Sequence, residues 1–116
     1  MRMRKKKHSG ERIEACARFL IKEPLSCFEN INAPFAESRP ALLEIGCGKG
    51  DFARQLSAKF TEHNIIAIER VPDVAMTALE KAAASENERP DNLRFIIGDA
   101  KNLVEYFPAH SIDCIY

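Results

Sequence analysis

Three acidic residues occur where short apolar runs of the sequence come to an end. Glu44 stands just before the glycine-rich segment Gly46–Gly50, Glu69 ends a second run, and Asp99 closely follows a third. Carboxylates accept hydrogen bonds from hydroxyl and amino groups and attract ammonium groups. Glycines permit a tight turn and let a ligand approach the backbone where a Cβ would collide. The pattern indicates a site for a nucleoside-like ligand, with Gly46 as a backbone contact.

The residue that follows the glycine-rich segment helps to decide between nucleotide ligands. A dinucleotide-binding fold with GxGxxG spacing needs a third glycine at position 51, where this chain has Asp51. A carboxylate there would repel a pyrophosphate at the helix N-terminus, which argues against a nicotinamide-dependent dehydrogenase. The sequence also lacks GxxxxGK[ST], so it predicts no phosphate loop of the NTPase kind.

S-adenosyl-L-methionine matches the acids better, because it has no phosphate and carries an ammonium, a sulfonium, a ribose diol and an adenine. We expect Glu44 to face the cationic aminoacyl end, Glu69 to accept from the ribose hydroxyls and Asp99 to accept from the adenine amino group. Glu69 lies 19 residues after Gly50, near the spacing of about 20 typical of a ribose-binding acid. Two simpler interpretations stay open: a turn role alone for Asp99, and an ion pair with Arg70 for Glu69.

The four cysteines, at positions 16, 27, 47 and 114, form no CxxC pair and no metal-ligand spacing. They are typical of reduced thiols in a cytosolic protein. Cys47 lies within the glycine-rich segment, but no histidine is near it in the sequence. We therefore interpret it as a small apolar filler and not as a nucleophile, and we expect no metal site.

Apolar runs alternate with helical periodicity from residue 41 onward. Strands are predicted at 41–45, 64–68, 93–97 and 112–116, and helices at 51–60, at 73–85 with Asp73 as its cap, and at 103–107. This alternation predicts an α/β fold with a parallel sheet and right-handed crossovers. The carboxyl ends of its strands meet at one edge, so the three acids are expected to converge on one crevice.

The chain divides into two parts in this interpretation. Residues 1–40 form a basic arm, a helix over Glu11–Ile21 and an irregular connection that contains three prolines. Residues 41–116 form the ligand-binding α/β half. The last run, 112–116, stops while still apolar, which favours the front part of a longer domain over a natural short domain that ends on a strand.

The charge of the chain is balanced overall but unevenly distributed. Of the 116 residues, 46% are hydrophobic, and this fraction excludes the possibility that the whole chain is a disordered tail. Its 17 basic residues match 17 acidic ones. Residues 1–22 hold eight basic and two acidic residues, a net charge of +6, so the remainder carries −6. This asymmetry favours a polyanionic partner, with a solvated tail as the alternative. The basic arm consists of Arg2, Arg4, Lys5, Lys6 and Lys7.

No apolar run approaches the ~20 residues of a membrane span, and no apolar segment of a secretory signal follows the basic start. We therefore expect a cytoplasmic protein.

The opening Met1-Arg2-Met3-Arg4-Lys5-Lys6-Lys7, the segment Leu43–Gly50, Ile68-Glu69 and Gly98-Asp99-Ala100 together resemble the bacterial tRNA (guanine-N7-)-methyltransferases, the TrmB family. The resemblance covers essentially the whole chain. It implies a Rossmann-like class I methyltransferase fold, here as a partial parallel sheet of the first strands with flanking helices. It also implies S-adenosyl-L-methionine as methyl donor, and N7-methylguanine in the tRNA variable loop as product. The acidic cofactor contacts of the family map onto Glu44, Glu69 and Asp99.

The chain departs from the family pattern in one respect. The Asp-Pro-Trp-Pro segment of the family is absent, and it would be expected a few residues beyond Tyr116. We therefore assign no catalytic residue within 1–116 and expect the chain, without its C-terminal catalytic and tRNA-binding part, to be inactive. The alternatives are a catalytically silent cofactor- or RNA-binding fragment and another class I methyltransferase that acts on small molecules or proteins.

Overall fold

The computed structural model describes residues 9–84 and 91–116. In chain order the regular elements alternate between helices and strands after the N-terminal region: α1 (Ser9–Ala15), β1 (Ala41–Ile45), α2 (Asp51–Lys59), β2 (Asn64–Glu69), α3 (Pro72–Ala83), β3 (Leu93–Ile97), α4 (Leu103–Tyr106) and β4 (Ile112–Ile115). Short 3-10 helices lie at Ala17–Phe19, Pro24–Cys27 and Ala100–Asn102. The predicted α/β pattern is therefore present.

The four strands form one parallel sheet in the order β3-β2-β1-β4. Every residue of β2 except Glu69 is buried, as expected for a central parallel strand covered on both faces. The chain order reverses beside β1, since β2 lies on one side of it and β4 on the other. In open α/β sheets, ligands bind at such a switch point, outside the carboxyl ends of the strands.

The two faces of the sheet are covered differently. One face packs against α1, α2 and α3 through a cluster that includes Phe95 and Leu79. The opposite face packs against the connection between α1 and β1 and against Phe107, through a cluster that includes Cys27 and Ile66. Successive strand residues alternate between the two clusters because strand side chains point to opposite faces. The amphipathic helices thus cover one face of the sheet, and mostly irregular segments cover the other face.

The N-terminal helix is shorter than its sequence pattern predicts. A single helix over Glu11–Ile21 is wrong: α1 ends at Ala15, and Leu20 forms a parallel bridge to Phe95 of β3. The Ile21 N–H donates to the Phe95 carbonyl at 2.8 Å. The outer edge of β3 offers unpaired backbone groups, and pairing with them competes successfully with the last helical turns.

The amino end of the sheet is closed by buried asparagines. The Asn64 side chain is fully buried and donates to Asn32 Oδ1 at 2.6 Å and to the Glu37 carbonyl at 2.9 Å. The Asn92 amide donates to the carbonyl of Ser57, in the last turns of α2, at 3.0 Å, and to those of Phe60 and His63, in the segment that follows α2, at 3.3 and 3.0 Å. These bonds satisfy buried polar groups and hold the loops at this end.

Helix α3 begins differently from the sequence prediction. Asp73 is not its cap: Val71 occupies the N-cap position, Pro72 is the first helical residue and Asp73 is buried in the first turn. Proline suits the first helical position because its missing N–H would have no partner within the helix.

No helix within residues 9–84 and 91–116 has the length and apolar character needed to cross a membrane.

Candidate functional site

The carboxyl ends of β1, β2 and β3 lie side by side, and the loops that follow them are joined by backbone hydrogen bonds. Strand register pairs Ile45 with Ile68 and Glu69 with Ile97. The N–H groups of Gly46 and Cys47 both donate to the Ile68 carbonyl, at 2.9 and 3.0 Å. The structure therefore brings the three predicted acids, or their loops, to one edge of the sheet.

The glycine-rich turn between β1 and α2 depends on its glycines for two different reasons. Gly46, Gly48 and Gly50 have φ of +70°, +57° and +81°, which side-chain-bearing residues rarely adopt. A Cβ on Gly50 would lie 2.9 Å from the Ala78 Cβ, so α2 and α3 pack closely through it. A Cβ on Gly46 or Gly48 would meet nothing within 4 Å. The first two glycines face open space, where a ligand can approach the backbone.

Glu69, at the end of β2, makes two hydrogen bonds with its carboxylate. Oε1 accepts from the Gly48 N–H at 3.0 Å, and Oε2 accepts from the Val71 N–H at 3.0 Å. Among the residues that the structure describes, the Glu69 carboxylate makes no ion pair with Arg70. The interpretation of Glu69 as a partner of Arg70 is therefore wrong. Each carboxylate oxygen has a further lone pair, so two ligand hydroxyls can still be accepted.

Glu44 is a buried residue near the end of β1, two positions before the glycine-rich turn. The residue is 8% exposed, and its Oε1 is buried with no hydrogen-bond donor among the described residues. Burial raises the pKa of the Glu44 carboxyl, because the charged form loses its hydration. A buried carboxylate without a partner is costly, and a cationic ligand group would offset that cost.

Asp99 combines a structural contact with partial exposure. Its Oδ1 accepts from the Lys101 N–H at 3.0 Å and caps the 3-10 helix Ala100–Asn102. The turn role considered from the sequence is thus present, and it leaves acceptor capacity for a ligand. The preceding Gly98 donates its N–H to the Glu69 carbonyl at 3.0 Å, which ties the Asp99 loop to β2.

Two residues beside this edge, Val71 and Tyr106, are not among the residues that the sequence predicted for the site. The Val71 N–H reaches Glu69 because Val71 is the N-cap of α3. The Tyr106 hydroxyl would lie 3.1 Å from a Cβ on Gly98 and accepts from the Asn102 amide at 3.4 Å. The Val-Pro pair before an apolar period is a helix-start signal for Val71, whereas Tyr106 reaches the loop through tertiary packing alone.

Cys47 is not an activated thiol. It is buried, and burial together with the nearby charges of Glu44 and Glu69 raises its pKa to about 12. The thiol therefore stays protonated and poorly nucleophilic near neutral pH.

Cys16, Cys27 and Cys114 are also free thiols, and Cys114 is exposed. In the ranges that the structure describes, no group of three or more His, Cys, Asp or Glu side chains is placed to hold a metal ion.

The five basic residues of the arm, Arg2, Arg4, Lys5, Lys6 and Lys7, lie outside the described residues. The chain enters the described part through α1, which is attached to α3 by a two-point ion pair. Arg12 Nε donates to Glu80 Oε2 at 3.1 Å, and Nη2 donates to Oε1 at 2.5 Å. This ion pair thus anchors α1, which follows the arm in the sequence, to the helical layer that also packs behind the glycine-rich turn.

An open parallel sheet with a glycine-rich turn and acids at three strand ends defines an α/β protein with a nucleoside-type site. A family model described as "Putative methyltransferase" matches residues 38–116. The chain belongs to this methyltransferase family, and the resemblance noted in the sequence is confirmed.

Similar curated proteins include tRNA (guanine-N(7)-)-methyltransferases from several bacteria. Those of Exiguobacterium sp., Clostridioides difficile and Geobacillus sp. are 34%, 32% and 36% identical to this chain over its whole length. The chain covers 53%, 53% and 51% of them, respectively. It therefore spans about half the length of the curated relatives it matches.

A similar solved structure is phosphoethanolamine N-methyltransferase 2 of Haemonchus contortus, determined with phosphomonomethylethanolamine and S-adenosylhomocysteine. It is 23% identical with a TM-score of 0.54, over 78% of this chain and 20% of that protein. A second structure of the same enzyme, with S-adenosyl-L-methionine, gives the same values. These likenesses confirm the predicted fold class, a Rossmann-like methyltransferase sheet with flanking helices.

Proposed function

We propose that this chain is the S-adenosyl-L-methionine-binding part of a tRNA (guanine-N7-)-methyltransferase. The observation that carries the proposal is Glu44, a buried carboxylate with an unpartnered oxygen, which precedes a glycine-rich turn with open space at Gly46 and Gly48. The relatives named tRNA (guanine-N(7)-)-methyltransferase support the reaction, since they match all 116 residues.

The residues present fit S-adenosyl-L-methionine group by group. In the proposal, Glu44 neutralises the ammonium of the aminoacyl end, and the backbone at Gly46 allows that end to approach closely. Glu69 accepts from the ribose hydroxyls with the lone pairs that Gly48 and Val71 leave unused. Asp99 accepts from the adenine amino group. The ammonium, the ribose hydroxyls and the adenine amino group of the ligand thereby each meet a carboxylate.

The chemistry asked of this chain is binding and orientation. When bound, S-adenosyl-L-methionine supplies an electrophilic methyl group. Guanine N7 is a lone-pair acceptor on the major-groove edge of the base and carries no proton to remove. No strong general base is required, and rate is gained by aligning N7 with the methyl group and by nearby negative charge. We therefore assign cofactor-binding roles, and no catalytic role, to residues within 1–116.

The tRNA partner is proposed to meet the basic arm. Residues 1–22 carry +6, and phosphate backbones attract such a cluster without regard to sequence. We propose the cytoplasm as the compartment, because the four cysteines are free thiols and tRNA would be the substrate.

A second candidate function is cofactor or RNA binding without turnover. It is favoured for the 116 residues themselves, because the chain spans about half the length of the relatives. We expect it to bind S-adenosyl-L-methionine and to transfer no methyl group to tRNA by itself.

Two measurements test these proposals. Calorimetric titration with S-adenosylhomocysteine and, separately, with NAD should show binding of the first ligand only. Binding of NAD alone would replace the methyltransferase proposal with that of a dinucleotide-binding protein.

Transfer of a radiolabelled methyl group to unmodified tRNA should be undetectable for the 116 residues. Turnover comparable with that of a longer relative would show that the catalytic residues lie inside this chain.

A further inference from the structure

Glu69 contacts all three loops at the carboxyl edge of the sheet. Its carboxylate accepts from the N–H groups of Gly48 and Val71, each at 3.0 Å. Its main-chain carbonyl accepts from the Gly98 N–H, also at 3.0 Å. One residue therefore joins the turn after β1, the turn after β2 and the loop after β3.

The glycine-rich turn needs such a contact at Gly48. Glycine loses more conformational freedom on ordering than any other residue, and Gly48 has a positive φ with open space where a Cβ would be. Because no neighbouring atoms pack against this side of Gly48, packing does little to hold the turn in one conformation there. The bonds from Gly46 and Cys47 to Ile68 fix the start of the turn, and Glu69 fixes its middle.

The chemistry of the side chain explains why a carboxylate suits this position. Two N–H donors approach from two different turns, and a carboxylate offers an acceptor oxygen to each. A glutamine of the same shape offers one acceptor oxygen, and its NH₂ group would face the other N–H donor. Glutamine can therefore satisfy only one of the two turns.

We propose that Glu69 is a positioning residue that holds the glycine-rich turn and the start of α3 in their binding arrangement before any cofactor is present. This inference deepens the proposed cofactor role of Glu69 and depends on it only for the identity of the ligand. Binding then adds ribose hydroxyls to a carboxylate that is already fixed, so little ordering remains to oppose association.

The test is amide hydrogen exchange, read residue by residue by NMR on the ligand-free 116-residue chain. Glu69→Ala should speed exchange at Gly48 and Val71 by about tenfold, the effect of removing one hydrogen bond each. Glu69→Gln should speed exchange at one of the two and leave the other protected. The Ile66 amide, inside the sheet, should not change. Glu62→Gln, an exposed carboxylate before β2, is the matched control and should change neither turn.

The outcomes separate this inference from the proposed function. Unchanged exchange at Gly48 and Val71 in both Glu69 variants would overturn the positioning role, even if affinity for S-adenosylhomocysteine falls. Faster exchange in the ligand-free variants supports it, even if no chain binds S-adenosylhomocysteine. If Glu69→Ala fails to fold, Glu69→Gln alone decides, because only the positioning role predicts a loss confined to one turn.

Discussion

Gly50 and Ala78 stand so close that a methyl group on Gly50 would lie 2.9 Å from the Cβ of Ala78. Gly50 is the N-cap of α2, and Ala78 is fully buried in α3. The same methyl group would lie 3.3 Å from the Phe95 ring of β3. The glycine-rich turn is therefore joined to the core at its last residue, while Gly46 and Gly48 face open space.

Gly50→Ala is expected to destabilise the chain by about 2–4 kcal/mol, the combined effect of a positive φ and an overpacked contact. Gly46→Ala is the matched control: its φ of +70° is also unfavourable, but its Cβ would meet nothing within 4 Å. It should cost only about 1–2 kcal/mol. Urea denaturation measures both. Equal losses would show that backbone conformation, and not packing against Ala78, makes Gly50 necessary.

Glu69→Ala is expected to weaken S-adenosylhomocysteine binding by about 1–3 kcal/mol, because the ribose hydroxyls would lose a charged acceptor. Calorimetry provides the measurement, with Glu62→Ala as a control on an exposed carboxylate away from the site. Unchanged affinity would remove Glu69 from the ligand contacts. Its hydrogen bonds to Gly48 and Val71 would then account for the residue entirely.

Much of this arrangement follows from the order of residues in the sequence. The strands and the helices after residue 40 lie within a few residues of their predicted bounds because apolar periodicity reports burial directly. Parallel strands also place their carboxyl ends together, so the shared edge of Glu44, Glu69 and Asp99 could be predicted from pattern alone.

The remaining features depend on tertiary contacts. The helix predicted over Glu11–Ile21 is broken because residues 20 and 21 pair with β3, a partner more than 70 residues away in the sequence. The bonds from Gly48 and Val71 to Glu69 depend on the relative placement of two turns, which periodicity does not encode. Asp73 has the residue type of a cap, but Pro72 starts the helix one position earlier.

Glu44→Gln is expected to stabilise the ligand-free chain near neutral pH while weakening cofactor binding. Burial raises the folded-state pKa of Glu44 above its ordinary value. At a pH below the ordinary pKa of a glutamate, the Glu44 carboxyl is protonated in both the folded and the unfolded chain, so its burial removes no charge from water. As pH rises, the unfolded chain releases its proton first, so stability falls until the folded-state pKa is passed.

The gain from Glu44→Gln should therefore be about 1–2 kcal/mol near pH 7 and close to zero near pH 4. Denaturation curves at the two pH values measure it, and Glu62→Gln controls for the change in net charge. A loss of stability near pH 7 would mean that the Glu44 carboxylate has a stabilising partner in the ligand-free chain.

Cys47 is expected to resist alkylation by iodoacetamide in the folded chain. Its thiol is buried with a pKa of about 12, whereas Cys114 is exposed. Since only the thiolate reacts, Cys47 should be modified about 100-fold more slowly than Cys114. Mass spectrometry of digested peptides gives the modification rates of both cysteines, and the two rates should become similar when the chain is unfolded in urea. Comparable rates in the folded chain would contradict the interpretation of Cys47 as an unreactive filler.

Removing the charge of the basic arm is expected to reduce the salt dependence of tRNA binding. The test compares the chain with a variant of equal length that carries R2Q, R4Q, K5Q, K6Q and K7Q. Each phosphate contact contributes about −0.7 to −0.9 to the slope of log K against log salt concentration. If all five residues contact phosphate, the slope should become less negative by about 4.

Two further measurements separate this role from a general loss of binding. Affinity for S-adenosylhomocysteine should be unchanged, because the proposed cofactor acids lie at strand ends and not in the arm. The loss of affinity should be similar for tRNAs of different sequence, since phosphate contacts do not distinguish bases. An unchanged salt slope would show that the arm is a solvated tail, and tRNA recognition would then have to come from other residues.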